Sequence, residues 1–123
     1  MTQVKPAALL VAVLVFAGQA FADPAVIEAA EAHQEGDRWL FDVTLSHGDT
    51  GWDDYADGWR VVMEDGRVLG TRELLHPHET EQPFTRSLSG VVIPEDVGTV
   101  FIEARTNTEG WGQQRYPLDL VDR

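Results

Sequence analysis

From Arg38 to His47 the chain reads RWLFDVTLSH, with Trp39, Phe41, Val43 and Leu45 at every second position and Asp42, Thr44 and Ser46 between them. Successive side chains of an extended strand point to opposite faces, so this pattern buries one face and leaves the other to solvent. A helix would scatter the same residues around its circumference. The pattern recurs. WRVVMEDGRVLGTRELL reads as two strands joined near Asp65-Gly66, a dipeptide suited to a tight hairpin because both of its residues tolerate positive φ. FTRSLSGVVI is a further strand, followed by a turn between Pro94 and Gly98. TVFIEAR turns Val100, Ile102 and Ala104 inward, and RYPLDL keeps Tyr116, Leu118 and Leu120 in phase.

The segment AVIEAAEAHQEGDR is rich in helix formers, but its apolar spacing is irregular, and Gly36 stands at hairpin distance from the next strand. It reads as a first strand from about Val26 to Ala32. Seven strands at these intervals predict an all-β, antiparallel sandwich.

Ahead of them, Lys5, the apolar run Ala7–Ala17 and the small residues of Ala20-Phe21-Ala22 form a secretory signal pattern, with cleavage expected before Asp23. The run is shorter than a bilayer-spanning helix needs. Residues 1–22 are therefore predicted to be a signal peptide and 23–123 a single domain, with a periplasmic or secreted location and no membrane span after cleavage. The chain has no cysteine, which excludes disulfides, thiolate metal sites and thiol catalysis. Residues 23–123 carry 8 basic and 21 acidic residues, a net charge of −13 with histidines neutral. Such a surface repels phosphate backbones and anionic lipid, so nucleic acid is not an expected partner, whereas a divalent metal ion or a basic envelope protein is.

Alternating chain direction places the loops after the second, fourth and sixth strands at one pole. SHGDTGWDDYADG brings His47, Asp49, Trp52 and Tyr55, LLHPHETEQPFTR brings His76, His78, Glu79 and Glu81, and TNTEGWGQQ brings Glu109 and Trp111. In an extended His-x-His both imidazoles point the same way. With a third from His47 they would suit Cu(II) or Zn(II), with Asp49 or Glu79 as auxiliary ligand. His47 also continues the inward phase of its strand, which suits a core-edge histidine held by a backbone hydrogen bond. Trp52, Tyr55 and Trp111 fall in loops, where large aromatics serve as partner-binding anchors, while Trp39 and Trp59 read as core.

Two other patterns fail on chemistry. DDYADGWRVVME matches acidic positions of a calcium loop, but Tyr55 and Arg60 stand at the wrong places and no flanking helices exist. Ser46, His47 and Asp49 lack the strand–turn–helix elbow of a hydrolase, so catalysis is not expected.

GTVFIEARTNTEGWGQQRYPLDL resembles the last two strands of a fibronectin type III or immunoglobulin-like domain. SHGDTGWDDYADGW with LLHPHETEQPFTRSL resembles small exported bacterial proteins of unassigned function. The resemblance implies an exported sandwich and brings no activity with it. The sequence thus predicts a non-enzymatic periplasmic binding protein with copper or zinc at the histidine pole, or alternatively a protein-interaction module using the same acidic, aromatic loops.

Overall fold

A computed structural model describes residues 23–121; the predicted signal peptide lies outside them. The described chain is all β, with strands β1 (Val26–Glu35), β2 (Arg38–Ser46), β3 (Ala56–Val62), β4 (Val68–Glu73), β5 (Phe84–Val91), β6 (Thr99–Thr106), β7 (Gly110–Trp111) and β8 (Tyr116–Asp119). One antiparallel sheet runs β1-β2-β5. The other runs β4-β3-β6-β7, with β8 also paired to β6.

The two sheets share one core. Trp39, Phe41, Val43 and Leu45 of β2 lie at 0–2% exposure, and Trp59 and Val61 of β3 join Val100 and Ile102 of β6 at 0%. The period-two reading of β2 and β6 therefore holds residue by residue. Without a disulfide this core carries the stability, each fully buried Val, Leu, Ile or Phe contributing roughly 1.5–3 kcal/mol.

Three expectations need correction. The described residues form eight strands rather than seven, because the chain returns beside β6 in two pieces. Arg105 and Thr106 pair with Trp111 and Gly110, the chain bows out, and Ile102 to Thr99 then pair with Tyr116 to Asp119. The first strand extends to Glu35, three residues past the expected end, since β2 offers partners through Arg38. The β3–β4 hairpin is wider than a two-residue turn: the Met63 amide donates to Arg67 O at 2.8 Å around Glu64-Asp65-Gly66, and Gly66 takes the positive φ, 90°, that the turn requires.

Register fixes what meets at the pole. Val26 pairs with Ser46, Leu45 with Phe84, Gly58 with Glu73 and Ala56 with Thr106. The start of β1, the ends of β2, β4 and β6, and the starts of β3 and β5 thus lie at one end of the fold.

Candidate functional site at the loop pole

The three loops named from the sequence do converge, and their backbones are knitted together. The Asn107 amide donates to Tyr55 O at 3.1 Å, while the Asn107 side chain accepts from the Tyr55 amide at 2.9 Å and donates to Trp52 O at 2.8 Å. Gln82 accepts from the His47 amide at 3.0 Å and donates to His78 O at 2.9 Å.

At the centre is Asp49. Its Oδ1 lies 2.6 Å from His47 Nδ1 and accepts from the Ala56 amide at 3.0 Å, while Oδ2 accepts from the His78 amide at 2.8 Å. The His47 and Asp49 side chains are both fully buried. His47 Nε2 lies 2.8 Å from the Asp23 carbonyl oxygen. A carbonyl and a carboxylate can only accept, so both ring nitrogens donate and His47 is an imidazolium. Burial works against that charge, but the Asp49 hydrogen bond and the Asp23 contacts outweigh it and raise the His47 pKa.

His78 is the opposite case. Its ring stacks on Phe84, with centroids 4.0 Å apart and planes at 11°, and Nε2 sits 2.9 Å from Arg86 Nη2. A guanidinium only donates, so Nε2 accepts, His78 is neutral, and its proton resides on Nδ1, which is buried without a partner among the described residues. Burial, Arg86 and His76 lower its pKa, against smaller opposing effects of Glu81 and Asp49.

These states bear directly on the expected ligand set. His47 has no free lone pair, and the lone pair of His78 faces a cation. His76 is exposed, with Nδ1 3.2 Å from Pro77 O and its ring 4.6 Å from that of His78 at a 42° tilt. Glu79 is exposed beside Gly51. The loops bring His47, Asp49 and His78 into one hydrogen-bonded network, but not His47, His76 and His78 into a three-imidazole donor set. Among the described residues, the donors that gather within 4.8 Å of one another are Glu31, His33 and Asp42. They lie away from the pole on β1 and β2, and Asp42 already accepts from Ser87 Oγ.

The expected aromatics divide. Trp52 is 65% exposed, and half-buried Tyr55 meets it edge-on at 5.6 Å. The Trp52 backbone is nonetheless fixed: Thr50 N donates to Asp54 O at 3.0 Å, Asp54 N to Gly51 O at 3.2 Å, and Asn107 holds the Trp52 carbonyl. Trp111 is not part of this surface. It lies under Arg60, 3.8 Å from the ring centroid, and Arg105, 5.0 Å away, in a ladder that Glu103, Asp57 and Glu73 complete by ion pairs. Pairing with Arg105 through β7 is what draws Trp111 onto the sheet. Sequence reasoning missed Asp23, Gln82 and Asn107 as members of the pole, because each acts through backbone atoms or a ring nitrogen that no spacing announces.

The two histidines give stability opposite pH dependences. His47, its pKa raised above 6.5 in the fold, stabilises fully below that pH and loses its contribution as pH rises through the raised value. His78, lowered below 6.5, contributes above that pH and loses it as pH falls through the lowered value. Denaturant unfolding as a function of pH is expected to show maximal stability near pH 6.5. His47→Gln should flatten the alkaline limb and His78→Phe the acid limb.

Comparison with known proteins finds similarity to one protein of Halomicrobium mukohataei named "Putative lipoprotein", which is 46% identical over 79 residues. The aligned stretch is 64% of this chain and spans 38% of the relative's length. That name fits an envelope or exported location, and no helix among the described residues is long and apolar enough to cross a membrane. No family model and no solved structure matches the chain.

Proposed function

We propose that this chain is a non-catalytic interaction module of the cell envelope, an immunoglobulin- or fibronectin III-like sandwich that seats a basic protein partner on its acidic pole around Trp52. The observation that carries the reading is a largely exposed indole on a backbone held by hydrogen bonds. Exposing an indole to water is unfavourable, and holding it still removes part of the entropy cost of binding, which is how interface anchors work. Tyr55 meets the ring edge-on, Asp53 and Asp54 follow Trp52 directly in its loop, and Glu79 of the neighbouring loop lies beside Gly51. Clustering of loops at the ends of a sandwich supports this use of the pole.

Capture of copper or zinc at the histidines is the weaker reading. It requires His47 to shed a proton held by two acceptors and His78 to turn its lone pair away from Arg86.

The test is recovery of a defined binding protein from envelope extract, followed by affinity measurement with the purified pair. Trp52→Ala is expected to weaken binding by at least about 30-fold, the loss typical of an anchor worth about 2 kcal/mol, with unchanged thermal stability. Asp53→Asn with Asp54→Asn should slow association at low salt. Equal affinity for Trp52→Ala and the parent chain would reject the reading.

A further inference from the structure

Strand β1 is ten residues long, lies at a sheet edge and, among the described residues, pairs with β2 alone. No described strand pairs with its other edge, and the Gln114 side chain is what caps it there among the described residues. The Gln114 side chain accepts from the Ile27 amide at 2.9 Å and donates to the Ile27 carbonyl at 3.2 Å, so a primary amide does there what a neighbouring strand's peptide group would do. The backbone of Ile27 therefore faces away from β2, towards the open side. Beyond it, Glu28 to Glu35 continue the strand with no such cap from the described residues.

Edge strands are normally protected by brevity, proline, bulges or charged side chains, lysine above all, and here glutamates are what would turn away an acidic or uncharged strand. This one has a bulge near Ile27 and then eight further residues without proline or lysine. It carries Glu28, Glu31 and Glu35 and no Lys or Arg. Where β1 begins, a cleft of about 410 Å³ opens between the two sheets, bordered by Pro24, Val26, Ala104, Glu109, Trp111 and Gln114. Its walls are mainly apolar, and Val26 is 43% exposed.

We infer that the open edge of β1 takes up an extended, lysine- or arginine-bearing polypeptide segment as an added antiparallel or parallel strand, with an apolar side chain of that segment seated in the cleft between Val26 and Trp111. Main-chain hydrogen bonds supply affinity in strand addition, and pockets for alternate side chains supply selectivity. Charge selects the occupant. A second copy of this chain laid against β1 would bring Glu28, Glu31 and Glu35 near their equivalents, and like charges across a strand pair are unfavourable. A basic segment reverses the sign of every such pair. This surface is separate from the Trp52 loop and does not depend on it.

The experiment uses the full chain and two synthetic peptides of alternating lysine and valine, one unmodified and one N-methylated on the amides of a single edge. The two have the same charge but differ in strand hydrogen bonding. The unmodified peptide is expected to bind, to slow amide exchange within Ala29–Glu35, and to lose at least about tenfold in affinity when Glu28, Glu31 and Glu35 are all changed to Gln. The N-methylated peptide should bind at least about tenfold more weakly, and Trp52→Ala should leave both affinities unchanged. Failure of the unmodified peptide to bind, equal binding of both peptides, or protection of the same amides by self-association without peptide would each overturn the inference.

Discussion

Replacing Asp49 by Ala is expected to lower the unfolding free energy by about 3–5 kcal/mol, the range seen when one partner of a buried ion pair is removed. The side chain holds three donors at once: the imidazolium of His47 and the amides of Ala56 and His78. Its loss leaves a buried cation with Asp23 O as its remaining close acceptor and orphans two backbone amides in buried surroundings. Three elements also lose their common tie: the end of β2, the start of β3 and the loop before β5. Asp49→Asn is the discriminating companion. It keeps the shape and one acceptor oxygen but not the charge, so the His47 imidazolium loses its closest counter-ion, keeping only the Asp54 and Asp23 carboxylates at 3.6 and 3.8 Å, and the alkaline limb of the pH profile should move down towards pH 6.5. Chemical denaturation of both variants, with His47→Gln completing a double-mutant cycle with Asp49→Asn, measures the coupling directly. Additive losses would show that the 2.6 Å contact contributes nothing of its own, and Asp49 would then act through the amides alone.

How far this was legible in the sequence follows from what kind of physics each feature obeys. Alternation of apolar residues is a property of the chain itself, and it located the buried faces of β2 and β6 and the core status of Trp39 and Trp59. Chain reversal is equally local in origin, and it brought the loops bearing His47, Asp49 and His78 to one pole. Protonation is not local. Whether His47 offers a lone pair to a metal or a proton to a neighbour depends on Asp23 O, a carbonyl 24 positions away that any residue type could have supplied. The state of His78 depends on Arg86, whose guanidinium reaches back across eight positions. An HPH motif fixes the direction of two rings and nothing about their partners. Trp111 shows the same limit: two residues of pairing in β7 decide between a loop anchor and a rung in the Arg60–Arg105 ladder.

The pole can display an exposed Trp52 only because the core beneath it is held firmly, and Trp59 is where that core responds most sharply. Trp59→Ala is expected to cost about 3–5 kcal/mol, as large-to-small aromatic substitutions in a packed interior do, which corresponds to a fall in Tm of roughly 15–30 °C for a domain of this size. The ring is 0% exposed on β3, between Arg72 of β4 and Ala104 of β6 in register, so no movement of solvent fills the void. Trp59→Phe should behave quite differently. The indole Nε1 is buried with no hydrogen-bond acceptor among the described residues, and a buried unsatisfied donor carries a penalty of about 1–3 kcal/mol. Phenylalanine gives up some packing but removes that penalty, so the two effects nearly cancel and the net change is expected to stay within about 1 kcal/mol. Thermal unfolding of the two variants side by side separates the packing contribution of the ring from the cost of its unpaired N–H. A Phe variant nearly as unstable as the Ala variant would mean that Nε1 gains an acceptor in solution, a water or a carbonyl, and that β3 is less tightly closed at Trp59 than its burial indicates.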